Sequence, residues 1–133
     1  MNRQASRWKM TKHSQAWAVL STPAAYEIAK KQGLASPPQE SPECLKCHST
    51  GHGQSTDRTM EGFSVSDGVT CEACHGPGSE YMPEAVMRDK LAAKKAGLLV
   101  PTAATCAGCH KENPEKVFDA AQAMVKAAHP MKP

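Results

Sequence analysis

Six cysteines fall into three pairs, and a histidine follows each pair at once. The runs are Cys44-Leu45-Lys46-Cys47-His48, Cys71-Glu72-Ala73-Cys74-His75 and Cys106-Ala107-Gly108-Cys109-His110. Two thiols three residues apart can add to the two vinyl groups on one edge of a haem, and the next residue's imidazole then reaches under the ring to the iron. Two other chemistries use cysteine pairs. Structural zinc needs four ligands per ion, so three pairs combine awkwardly. A disulfide framework would suit six cysteines in a small chain. Neither gives a reason for histidine after the second cysteine every time. The pattern therefore implies three covalently attached haem c groups.

Composition points the same way. The chain has 133 residues, enough for one domain over 1–133. Leu, Ile, Val and Phe contribute only 16 of them (6, 1, 7 and 2), about 12%, below the roughly 20% under which chains usually stay disordered. So few large apolar side chains cannot offset the ordering entropy. Three apolar porphyrins would act as staples and supply most of a core. The expected fold is mostly α with long irregular loops, wrapped around three packed haems, with an apoprotein that does not fold.

The formal charge is +3. Haem propionates would offset it, so it does not imply nucleic-acid binding. Lys30-Lys31 and Lys94-Lys95 suit helix C-termini, where positive charge is favoured. No stretch approaches a transmembrane helix, and the N-terminus has no apolar signal-peptide core. Attachment of this kind takes place outside the cytoplasm. The expected location is periplasmic or extracellular, and the sequence reads as a mature or trimmed form.

The elements that position the motifs can be placed coarsely. Residues 11–31 read as helical, interrupted by Thr22-Pro23 as a cap and first turn, with Gly33 as the stop. Residues 35–43 form a Pro/Ser-rich link, and 49–70 a Gly/Ser-rich loop with strand-like pieces near Phe63–Val69. Pro83 opens a helix to about Lys95, ended by Gly97. Asn113-Pro114 starts a last helix through about Ala128, stopped by Pro130.

Three histidines remain for the far side of the irons: His13, His52 and His129. Histidine on both faces gives a low-spin iron suited to electron transfer, whereas an open face can bind a small molecule. His13 and His129 lie far in sequence from any motif histidine and can approach the opposite face of a ring. His52 follows His48 by four residues, a short tether for passing round the same haem. It could ligate a neighbouring iron, bond a propionate or face solvent. Methionine is also a possible ligand, but most of the seven read as gap fillers.

The run Gly68-Val69-Thr70-Cys71-Glu72-Ala73-Cys74-His75-Gly76-Pro77-Gly78 resembles the third haem motif of the tetrahaem cytochrome c-554 family, which accepts electrons from hydroxylamine oxidoreductase in ammonia oxidisers. Trp8-Lys9 with His13 resembles that family's segment carrying a distal histidine. Cys44 to His48, with Gly51, Gly53 and Gln54, resembles its second motif, and Cys106 to His110 its fourth. The segment ending at His129 resembles its last ligand helix. The resemblance implies that His13 ligates the iron of His75 and that His129 ligates the iron of His110. It makes the haem of His48 the five-coordinate one, with His52 standing where an apolar or aromatic residue is usual. The family's first motif and its partner histidine are both missing from this sequence, which argues for the loss of one haem more than for a truncated start, the other reading that stays open. The expected function is electron transfer between redox proteins: a donor oxidoreductase and an acceptor cytochrome or quinone-linked membrane protein. Reduction of nitric oxide or peroxide at an open haem of His48, and a wiring role in a larger cytochrome assembly, are the alternatives.

Overall fold

The computed structural model describes residues 2–110 and 117–129. Its α-helices are α1 (Asn2–Lys9), α2 (Pro23–Lys31), α3 (Pro42–His48), α4 (Cys71–His75), α5 (Glu84–Met87), α6 (Lys90–Lys95), α7 (Ala103–His110) and α8 (Ala120–Ala127). Short 3-10 turns and irregular chain join them, and no strand occurs among the described residues. The fold is thus helical and loop-rich. The strand-like stretch near Phe63–Val69 contains a 3-10 turn, Val65–Asp67, which Ser64 and Asp67 close as a reciprocal capping box.

Two sequence signals set α2. Thr22 accepts from the Ala25 N–H at 3.3 Å, and Pro23 occupies the first turn. At the other end Gly33 takes φ +68°, with Leu34 N–H bonding to Ala29 O and Gly33 N–H to Lys30 O. That pair of bonds is a Schellman stop. Gly97 closes α6 in the same way, through Leu98 to Ala93 and Gly97 to Lys94.

Three expectations need correcting. Residues 11–21 are not one helix but two 3-10 turns, His13–Gln15 and Ala18–Ser21. There Thr11, Ser14 and Ser21 hydroxyls bond backbone carbonyls three residues back, or five for Ser14 to Lys9, competing with the helical ladder. The helix after Pro83 is two helices, because Asp89 leaves helical geometry to cap Leu91 and Ala92. The last helix begins at Ala120 with Asp119 as its cap. Asn113, Pro114 and Pro130 lie outside the described residues.

The chain divides into two compact units, Met1–Ala73 and Cys74–Pro133. In the first, α1 packs on the turn at His13–Gln15 and α2 on the turn at Ala18–Ser21. Leu20, Ala29 and Leu45 are its buried apolar side chains, with Pro38 and Ser41 fully enclosed. In the second, α5 packs on α6 and α7 on α8, while Tyr81 and Ala93 are buried. So small a protein core agrees with the shortage of large apolar residues.

Candidate haem centres

All three Cys-x-x-Cys-His runs close a helix: α3 ends at His48, α4 at His75 and α7 at His110. On a helix, positions i, i+3 and i+4 share one face. One helical turn therefore presents both thiols and the imidazole to the same side, the arrangement a porphyrin edge and its iron require. No disulfide joins the cysteines. Among the described residues no three His, Cys, Asp or Glu side chains converge as a bare metal site would need. Burial pushes the Cys44 thiol up, with Glu43 and then Cys47 adding to the shift, which keeps it in the protonated, less nucleophilic form.

Two motif histidines are latched by backbone carbonyls. His48 Nδ1 lies 2.7 Å from Ala16 O, and His75 Nδ1 lies 2.9 Å from Leu99 O. A carbonyl only accepts, so each Nδ1 carries the proton and each Nε2 keeps its lone pair. Metal-binding histidines are oriented in this manner by a second partner, which also raises the ring's basicity. The latch on His75 is doubled, because Leu99 N–H donates to His75 O at 2.9 Å. His110 is held differently: its ring lies flat on Phe118, centroids 4.2 Å apart and planes at 4°.

The Gly68–Gly78 stretch holds its motif through specific contacts. Val69 N–H donates to His13 O at 2.9 Å, and the Trp8 indole N–H donates to Val69 O at 2.7 Å. The segment carrying His13 is thereby sewn to the residues preceding Cys71. Gly68 has φ +74°, and a Cβ there would stand 2.7 Å from His13 O. Beyond the motif, buried Tyr81 donates to Gly76 O. An open cleft of about 360 Å³, lined by Ala5, Trp8, Asp67, Thr70 and Cys71, runs up to the first cysteine of this motif.

Of the remaining histidines, His52 is half-buried between Gly51 and Gly53, both at positive φ. His13 lies in the first unit. His129 lies in the second, where its ring centroid is 5.7 Å from that of His75 with planes at 60°. The residues fit haem groups: thiols and imidazole on one helical face, Nε2 atoms left bare by carbonyl latches, and exposed apolar side chains such as Leu91, Leu99 and Val100 suited to covering by a porphyrin. The Ala16 and Leu99 carbonyls carry no signal in the sequence, since every residue has one. Phe118 and Tyr81 were equally unreadable as site residues.

Comparison with known proteins agrees with this geometry. No solved structure matches the chain. Cytochrome c-554 of Nitrosomonas europaea is 35% identical over 82 residues, covering 59% of this chain and 34% of that protein. The match thus spans about a third of the relative's length. The model of the family described as cytochrome c554 and c-prime matches residues 2–76. That stretch takes in two of the three motif helices, both carbonyl-latched histidines and the segment of His13, and on this ground the chain belongs to the cytochrome c554 and c-prime family.

Proposed function

We propose that this chain carries three covalently attached haem c groups and relays electrons between redox proteins. The observation that supports it best is the repeated motif helix, with the Nδ1 atoms of His48 and His75 tied to carbonyls and the Nε2 atoms turned to ligation. When bound, each haem supplies a one-electron iron couple. The chain's own residues do the rest. Cys44 and Cys47, Cys71 and Cys74, and Cys106 and Cys109 fix each ring to a helix. His48, His75 and His110 are the proximal ligands, while His13, His129 and His52 are the histidines left for the opposite faces. The Ala16 and Leu99 carbonyls hold two imidazoles in orientation, so that little rearrangement accompanies a change of charge. Haem attachment outside the cytoplasm places the protein in the periplasm or beyond it. Its partners are a donor oxidoreductase and an acceptor cytochrome or quinone-linked membrane protein.

Stopped-flow mixing of the reduced holoprotein with an oxidised small c-type cytochrome tests this. The expected result is second-order reoxidation of all the haem. Haem that stays reduced with the protein partner, yet is rapidly oxidised by nitric oxide or peroxide, would overturn the reading in favour of an enzyme.

A further inference from the structure

We propose that Arg7, Lys9 and Lys12, with Met10 among them, form the docking surface for a redox protein that presents an acidic face. This rests on the function proposed above and deepens it, by assigning where one partner sits and what chemistry its surface shows. The electron then crosses at the edge of the haem held by Cys71.

Four observations carry it. First is the distribution of charge along the chain. Residues 1–31 hold six basic residues (Arg3, Arg7, Lys9, Lys12, Lys30 and Lys31) and one acid, Glu27, whereas residues 32–81 hold seven acids and two bases. Charge gathered in this way attracts an oppositely charged partner and speeds its encounter. Second is availability. Arg7, Lys9 and Lys12 are exposed, and among the described residues no salt bridge ties any of them to an acid. Asp67, which lines the nearby cleft, accepts from the Ser64 N–H at 3.3 Å. Third is the make-up of the surface. Met10 N–H bonds to Arg7 O at 3.1 Å, which continues the last turn of α1 and sets Met10 on the same side as Arg7. Met10 is 83% exposed. An adaptable apolar side chain among cations is the core-and-rim pattern of a protein interface. The helix dipole accounts for Arg7 and Lys9 at the end of α1, but not for Lys12 or for Met10. Fourth is what lies beside it. Trp8, within the same segment, donates to Val69 O at 2.7 Å and lines the cleft that reaches Cys71, and Cys71 is itself exposed. A protein seated on this segment rests beside the thioether edge of that haem, the short path that electron transfer needs. A bilayer fits less well, because the large apolar side chain of α1 is Trp8 and its indole is tied to Val69, leaving no apolar face to insert.

Stopped-flow reoxidation of the reduced holoprotein tests the surface, with two oxidised small c-type cytochromes as acceptors, one of net negative and one of net positive charge. The second-order rate with the negative acceptor should fall about tenfold between about 10 mM and about 300 mM salt, and the rate with the positive one should not fall. Arg7→Gln, Lys9→Gln and Lys12→Gln combined should slow the negative acceptor about tenfold at low salt and leave the reduction potentials of the haems unchanged. Lys30→Gln with Lys31→Gln should leave that rate as it was. An unchanged rate in the triple variant would overturn the proposal, as would slowing by the Lys30 and Lys31 pair in its place. Shifted potentials with an unchanged rate would assign the cations to haem propionates instead. Binding to vesicles of anionic phospholipid that the triple variant loses, with the rate intact, would assign them to a membrane instead. Haem that neither acceptor reoxidises at any salt concentration would overturn the proposed electron relay itself, which separates the two claims.

Discussion

Replacing Gly68 by alanine should do far more damage than its one carbon suggests. Gly68 combines φ +74° with ψ −143°, a region that only glycine visits freely, and other residues held there cost about 1–3 kcal/mol. The added Cβ would also stand 2.7 Å from His13 O, 3.2 Å from Ser14 O and 3.3 Å from Ala16 N. These are backbone atoms, so nothing can swing aside, and the segment must move. The Val69 N–H bond to His13 O and the Trp8 bond to Val69 O would loosen with it, at about 1 kcal/mol each. The sum is about 3–5 kcal/mol, a large share of the 5–15 kcal/mol that usually holds a domain together. At about 4 °C per kcal/mol for a chain of this size, the melting temperature should fall by about 12–20 °C. Gly33→Ala is the control: its φ is +68°, but nothing lies within 4 Å of the new carbon. It should lose only the backbone term of about 1–2 kcal/mol. Thermal melts followed by far-ultraviolet dichroism and haem absorbance measure both. If the two variants melt together, the close approach of the His13 segment to Gly68 is wrong.

Other perturbations give separate checks. Replacing Cys71 and Cys74 together by serine should remove one haem from the intact mass and lower the helical dichroism, because the porphyrin serves as core. Tyr81→Phe removes the hydroxyl that bonds Gly76 O in a buried setting, so the melting temperature should drop by about 4 °C for about 1 kcal/mol. His52→Leu should leave the ratio of low-spin to high-spin iron unchanged if His52 bonds a propionate or faces solvent, since its four-residue tether is short for passing round the haem of His48; new high-spin iron would make it the ligand of a neighbouring iron.

Where local chemistry decides a boundary, the sequence was readable. Thr22-Pro23 starts α2, and Gly33 and Gly97 end α2 and α6 through left-handed caps that suit glycine. The motif residues were readable because thioether attachment demands their spacing. What escaped depends on contacts distant in sequence or on competing hydrogen bonds. Hydroxyls at Thr11, Ser14 and Ser21 turn 11–21 into 3-10 turns, and Asp89 caps a helix in the middle of an apparently continuous one. The latches at Ala16 and Leu99 lie 32 and 24 residues from the histidines they hold, and a backbone carbonyl leaves no mark in residue type.

On the proposed function, each of the three motifs holds a covalent, redox-active haem. Spectroelectrochemical titration of the holoprotein, with haem counted on the denatured chain, tests it most directly. Three one-electron equivalents per chain are expected, all from haem that stays on the polypeptide in acidified organic solvent. Haem that extracts into the solvent, or fewer than three equivalents per chain, would contradict it.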